Sequence, residues 1–270
     1  MKRIAAIKKG KLSFWGCLTA GILISAASAI AGEVEFQQGL NGYVGVKDTH
    51  IWKSDQWPSV NSSYFGDFDR LSIGGVPCGG IRQGALIRFD DIFGDGYRIP
   101  TNSTIVEAKL LLYQRKGASI VQNDQGRSGC LQVFKMLTPF YADLPEIKNN
   151  DPMHKGKISP INGSTCFIFR KYSEKLPEYW GVDNKEEDGP VKGVDYDYDH
   201  RVAMAEFIPK ENEGWVSFDV TSVVKEWVAD PGKNHGLYIY GSDYWSGASF
   251  NSSDFNENTK LHPKLVVKYN

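Results

Sequence analysis

Short runs in which apolar and polar residues alternate recur along nearly the whole chain, each closed by Gly, Pro, Asn or Asp. This pattern constrains the fold more than any other feature, because a period of two buries one face of a strand and leaves the other polar. The runs are YVGVKDTHIW, RLSIGG, GALIRFD, IVEAKLLLY, LQVFKML, TCFIFRKY, AMAEFI, WVSFDV, GLYIYG and the terminal KLVVKY. In IVEAKLLLY, Val106, Ala108, Leu110 and Leu112 take one face and Glu107, Lys109 and Tyr113 the other. In KLVVKY, Leu265, Val267 and Tyr269 alternate with Val266 and Lys268. Strand after strand predicts an all-β fold, an antiparallel β-sandwich of jelly-roll type. A chain of 270 residues, 41% hydrophobic and 13% aromatic, has ample material for one core. Single sandwich domains run to roughly 200 to 250 residues.

One stretch departs from the strand pattern: GWVSFDVTSVVKEWVADPGKNHGLYIY, residues 214–240. Val216, Phe218 and Val220 continue the alternation, and Thr221 is then placed to cap a helix N-terminus. Val223 with Trp227, and Val224 with Val228, sit four apart and make one apolar helix face. Pro231 and Gly232 stop the helix before Leu237–Tyr240 resumes as a strand. The reading is a short crossover helix near residues 222–230.

The N-terminus belongs to export. Lys2, Arg3, Lys8, Lys9 and Lys11 precede an apolar run from Leu12 to Ile24, and Ala29-Ile30-Ala31 supplies the small residues of a signal-peptidase site. The expected organisation is a signal peptide over 1–31, then one sandwich domain over 32–270 with a long insert at 141–200. The apolar run is shorter than the roughly 20 residues of a membrane span, so the mature chain is expected to have none. The expected location is secreted, extracellular or cell-surface. The formal net charge of −1 argues against a nucleic-acid partner, which is met by a basic surplus. Nothing in the sequence speaks to oligomeric state.

Cleavage leaves Cys78, Cys130 and Cys166, and an exported protein can oxidise them. Three thiols allow one internal bridge and one remainder. Cys130 with Cys166 is the favoured pair, since each opens a strand-like run; the other pairings stay open. No CxxC or Cys/His spacing points to zinc.

From Tyr141 to His200 the chain is rich in Pro, Asn, Gly and charge, with one firm strand expected at Cys166–Tyr172. A loop of this length in a compact domain is functional or held by something specific. Its sharpest feature is Gly193-Val194-Asp195-Tyr196-Asp197-Tyr198-Asp199-His200. Asp195, Asp197 and Asp199 are hard oxygen ligands at alternate positions, which suits a structural Ca²⁺. The EF-hand pattern fails, because His200 stands where the turn glycine belongs. The plainer alternative is a solvated acidic turn whose tyrosines pack inward. Asp67 with Asp69, and Asp90, Asp91 and Asp95, are further candidates.

Three aromatic pairs lie in polar, turn-like surroundings: Trp52 with Trp57, Tyr179 with Trp180, and Tyr244 with Trp245. Rigid amphipathic rings can stack on the C–H face of a sugar, and Ser242, Asp243, Asn251 and Asp254 can supply polar partners. Arg70, Arg82, Arg88 or Lys109 can pair with the carboxylates of an acidic glycan. Core or rim packing is the competing account of each pair. Catalytic signatures are missing: there is no HExxH, GxSxG or P-loop. Of the five histidines only His200 adjoins an acidic cluster. Asn61, Asn102, Asn162 and Asn251 stand in N-x-Ser/Thr sequons and are read as turn residues.

Several stretches together resemble the DNRLRE domain, a secreted bacterial β-sandwich grouped with carbohydrate-binding modules. Asp48-Thr49-His50-Ile51, Tyr64-Phe65-Gly66 and Arg70-Leu71-Ser72-Ile73 are similar to that family's opening. ALIRFD, Ile99-Pro100 and EAKLLLY are similar to its central hairpin. FDVTSVVKEW with Asn234-His235-Gly236-Leu237 is similar to its late helix, and Ser252-Ser253-Asp254 with Pro263-Lys264-Leu265 to its close. The likeness spans residues 40–269; the long insert departs from it. It implies a carbohydrate-binding protein without catalytic activity, with an acidic or cell-wall polysaccharide as partner. The alternatives are a structural or adhesive extracellular protein without a glycan site, and a polysaccharide-cleaving enzyme built on the insert. The family likeness also makes the late helix a crossover whose apolar face caps the core, with Trp227 as the plug.

Overall fold

The computed structural model describes residues 32–76, 80–116, 131–142, 162–183, 189–204, 213–241 and 247–270. Its strands are β1 (Gly32–Gln37), β2 (Val46–Ser54), β3 (Arg70–Val76), β4 (Ile81–Phe89), β5 (Ile105–Gln114), β6 (Leu131–Lys135), β7 (Phe169–Lys171), β8 (Glu178–Tyr179), β9 (Ala203–Met204), β10 (Gly214–Asp219), β11 (Leu237–Gly241), β12 (Gly247–Asn251) and β13 (Lys264–Tyr269). One α-helix, α1 (Thr221–Ala229), joins β10 to β11.

The fold is an antiparallel all-β sandwich. One layer runs β1–β13–β5–β10 and the other β2–β4–β11–β6–β9. β12 and β3 pair with each other and bridge the layers at one corner, β12 reaching β5 and β3 reaching β4. The main core lies between the layers. Ala108, Leu110 and Leu112 of β5, Leu265 and Val267 of β13, and Val216 and Phe218 of β10 meet Ala85, Ile87 and Phe89 of β4, Leu237 and Ile239 of β11, and Val133 of β6. Each set is an alternate series along its strand, as the period-two pattern requires.

The helix follows the sequence expectation with a local correction. Val223, Val224 and Trp227 are buried and belong to the main core. Thr221 does not cap the helix: it is the first helical residue, and the capping position is Val220. Its hydroxyl instead accepts the backbone N–H of Ala108 at 2.9 Å, tying α1 to β5. Asp219 Oδ1 accepts the Thr221 N–H at 2.9 Å. The return to β11 needs Gly236, at φ 90°, where an added Cβ would lie 2.6 Å from the carbonyl oxygen of Ile87. Asn234 fixes the same turn by donating from Nδ2 to Phe89 O at 2.8 Å.

A second hydrophobic layer forms on the outer face of the β2–β4–β11–β6 sheet. Ile51, Leu86, Phe134 and Tyr238 are covered by Met136, Phe140, Phe167, Trp180 and Tyr196. The central strands of this sheet are therefore buried on both faces, which explains the continuous apolar run in GALIRFD. In the insert the expected strand Cys166–Tyr172 shortens to Phe169–Lys171, paired with Glu178–Tyr179. β1 and β12 were not expected. Cys166 is a free, buried thiol and does not form the favoured bridge with Cys130. Cys78 and Cys130 lie outside the described residues.

Candidate functional site at the acidic turn

The Gly193–His200 segment is clamped against β6. Leu137 N–H donates to Asp195 O at 2.8 Å and Asp197 N–H donates to Lys135 O at 2.9 Å. The three carboxylates of this segment go to three different places. Asp195 is 1% exposed. Its Oδ2 accepts the N–H groups of Gly181 (2.7 Å) and Val191 (2.9 Å), and its Oδ1 accepts the Thr138 hydroxyl (3.0 Å). Buried acceptors need such donors, and here they come from three separate parts of the chain. Asp197 accepts from His200, 2.9 Å from Nδ1 and 3.2 Å from N–H, and lies 3.8 Å from Lys135 Nζ. Asp199 is exposed. Among the described residues no group of three His, Cys, Asp or Glu is placed to hold a metal, so these aspartates do not gather into the calcium site their spacing had suggested. The reason is that Asp195 turns inward to neutral donors while Asp197 turns to His200 and Lys135.

Two clefts flank this segment. One, of about 260 Å³, lies between the outer sheet face and the insert; Arg82, Phe167, Lys192, Tyr196, Tyr238 and Tyr240 line it. Gly84 makes room for its floor, since a Cβ there would come 2.5 Å from Tyr238 Cε2. The rings form a continuous ladder, Phe134–Tyr196 at 5.4 Å, Tyr196–Tyr238 at 5.0 Å and Tyr238–Tyr240 at 5.9 Å. Lys192 Nζ lies 4.0 Å from the centre of the Tyr198 ring, a cation–π contact. The other cleft, of about 430 Å³, is lined by Lys135, Asp197, His200, Arg201, Ser222 and Glu226. Lys135 bridges its two sides, 2.7 Å from Glu226 and 3.8 Å from Asp197.

The aromatic pairs of the sequence also separate. Trp52 and Trp57 meet edge to face at 6.4 Å, with Trp57 53% exposed and Trp52 half-buried against Phe65. Tyr179 sits in β8 and packs on Phe169 at 5.0 Å. Trp180 is wholly buried, and its indole N–H donates to Cys166 O at 3.1 Å. Its face is not available for stacking on a ligand. Tyr244 and Trp245 lie outside the described residues. Two of the other acidic candidates have arginine partners. Asp90 takes Arg88 bidentately at 2.6 and 3.0 Å, and Asp69 pairs with Arg115 at 3.0 Å. The tyrosine ladder was missed at the sequence level. Its signals were the acidic-turn tyrosines read as packing inward, which holds for the buried Tyr196, and the alternation of Tyr238 and Tyr240 in GLYIYG, which reads equally well as a strand face.

The fold is an all-β sandwich whose two clefts take part of their lining from one late segment. That segment is where the chain is similar to a known family: a family model described as TGF-beta propeptide matches residues 194–258. No curated protein matches the chain. The match corrects the family likeness. FDVTSVVKEW and Asn234-His235-Gly236-Leu237, the helix segment that had been compared with the DNRLRE domain, lie inside the propeptide match. It also overturns what that likeness implied: carbohydrate binding, a polysaccharide partner, and the alternatives of an adhesive protein or a polysaccharide-cleaving enzyme. TGF-beta propeptides are secreted, which agrees with the export read from the N-terminus. Among the described residues no helix is long and apolar enough to cross a membrane.

Proposed function

We propose that the chain is an extracellular propeptide-like sandwich that holds a growth-factor-type protein. The observation that carries this reading is the position of the propeptide match. Residues 194–258 contribute Tyr196, Tyr238 and Tyr240 to one cleft and Asp197, His200, Arg201, Ser222 and Glu226 to the other. Tyrosine and arginine are the side chains that anchor protein interfaces, because they bring large contact area together with a polar end. Mixed charge around an aromatic centre fixes the register of a partner and steers its approach. On this reading the partner contacts the cleft mouth at Tyr240, with Arg82 and Lys192 at its rim, while the buried Tyr196 and Tyr238 support it from behind.

The test is surface plasmon resonance of the purified chain over an immobilised TGF-beta-class growth factor, beside an unrelated basic protein of similar size. Saturable binding to the growth factor alone is expected. Tyr240→Ala should weaken it roughly ten- to thirty-fold, the range of an anchoring tyrosine. Binding of equal strength to both surfaces, or none to the growth factor, would overturn the reading. The export step is checked separately, by finding the chain in the medium with its N-terminus cut after Ala31.

A further inference from the structure

The inner face of β2 carries a carboxylate into the protein interior at the edge of the sandwich. Asp48 is 3% exposed. Its Oδ2 accepts the N–H of Ser253 at 2.8 Å, while its Oδ1 has no hydrogen-bond partner among the described residues. Asn251, 2% exposed, stands at the start of the same turn. Its Nδ2 donates to Leu261 O at 3.4 Å, and its Oδ1 also has no partner among the described residues. Asp254 closes the turn from the solvent side. Burial, followed by the neighbouring Asp254 charge, pushes the Asp48 carboxyl up to about 8.

Most of the remaining groups around the turn are already committed. Ser252 donates its hydroxyl to Phe68 O and accepts the Asp254 N–H at 3.2 Å. Arg115 is held by Asp69 at 3.0 Å and lies over the Phe255 ring. The His50 ring stacks on Phe65 at 4.4 Å and bonds the backbone of Arg70, while its Nδ1 has no partner among the described residues. The His262 ring nitrogens face the carbonyl oxygens of Gln38 and Phe255. Two buried acceptors at the turn, Asp48 Oδ1 and Asn251 Oδ1, thus lack a donor among the described residues. An unpartnered buried acceptor is costly, and an unpartnered buried carboxylate more so.

We propose that Asp48, Asn251 and Asp254 hold a hard divalent cation of the calcium class at the root of the 251–254 turn, tying edge strand β2 to the end of β12. The donor set is all oxygen: two carboxylates and a side-chain amide carbonyl. Calcium takes such mixed oxygen ligands in flexible geometry, whereas magnesium demands a near-ideal octahedron and keeps its waters. The proposed set holds no thiolate and no imidazole, the ligands zinc favours. The site is separate from the acidic turn at 195–199, and it does not depend on the identity of the protein partner.

The test combines calorimetric titration of calcium chloride into the chelator-treated protein with thermal unfolding at neutral pH, with and without calcium. Calcium should bind saturably to the wild type and raise its Tm. Asp254→Asn, an exposed change that leaves the core intact, should weaken the apparent affinity at least about tenfold, since calcium affinity follows ligand charge. Asp48→Asn keeps an acceptor for the Ser253 N–H but removes the buried charge. It should melt above the wild type in chelator and below it in calcium, a reversal that a merely structural role for Asp48 does not produce. Absence of calcium heat in the wild type, or undiminished heat in both variants, would overturn the site. An equal response to magnesium would overturn the choice of cation.

Discussion

Asp195 and Cys166 show how one residue type takes its role from partners that are remote in sequence. The sequence marks Asp195 as special because carboxylates alternate there, but its role is set by Gly181 and Thr138, remote in the chain, together with the nearby Val191. Asp195→Ala would strand two backbone donors and a hydroxyl. It should cost about 3 to 5 kcal/mol, the scale for breaking a buried charged network, measured by urea unfolding; a loss within experimental error would contradict the clamp. Cys166 makes the opposite case. Burial pushes its thiol from 9.0 up to about 11. A thiol whose folded pKa is raised holds its proton longer in the native state, so its contribution to stability falls as pH rises from about 9 to about 11. The thiolate is the reactive form. Iodoacetamide at pH 8 should therefore leave Cys166 unmodified in the native protein and label it after denaturation, read by peptide mass spectrometry. Rapid labelling in the folded state would show the thiol is accessible.

At the scale of the element, α1 was the most legible part of the chain. Its apolar spacing, its stop at Pro231–Gly232 and its buried Trp227 were all in the sequence, and its bounds differ by a residue at each end. The role of Thr221 was not legible, because Ala108, whose N–H it accepts, is more than a hundred residues away in the chain. Thr221→Val should cost about 1 to 3 kcal/mol by leaving that strand N–H unpaired. Trp227→Ala should cost about 3 to 5 kcal/mol through the cavity it leaves. Trp227→Phe should cost clearly less, since the indole N–H has no partner among the described residues. Equal losses for the two Trp227 variants in denaturant titration would contradict this account. Strands β1 and β12 escaped notice for a physical reason. GEVEFQ follows directly on the export segment, and GASFN is short and glycine-led, so neither stood out as a run of its own. The expected strand at Cys166–Tyr172 shortened because Cys166 is buried outside the strand pairing and Phe167 enters the second core.

On the scale of the molecule, the insert is a structural layer as well as a site. It covers the outer sheet face through Phe167, Trp180 and Tyr196, next to Phe140, and its far end forms part of the walls of both clefts. The two cores share the sheet but bury opposite faces of it. Trp180→Ala should raise amide exchange in β7, β8 and the 190–200 segment while β5, β10 and β13 stay protected, because only contacts of the outer core are removed. Uniform loss of protection across both layers, followed by mass spectrometry, would show that the cores unfold as one unit. The same variant should weaken growth-factor binding without touching the partner, since the cleft walls would lose their support.

The sequence by itself determined the all-β class, the alternation that fills the main core, and the lone helix between two late strands. These depend on local periodicity, which every residue of a run expresses at once. It also marked the acidic turn and the long insert as unusual. Only the tertiary structure decided what those features do. Whether a carboxylate becomes a clamp, an ion-pair partner or an exposed charge depends on donors brought from elsewhere, as Asp195, Asp197 and Asp199 show within five residues. Whether an aromatic residue is a surface or a core depends on which face its strand presents, and a sheet buried on both sides conceals that difference in its sequence. Trp180 and Tyr240 are both aromatic residues near polar turns; packing placed the first in the second core and the second in the wall of a cleft.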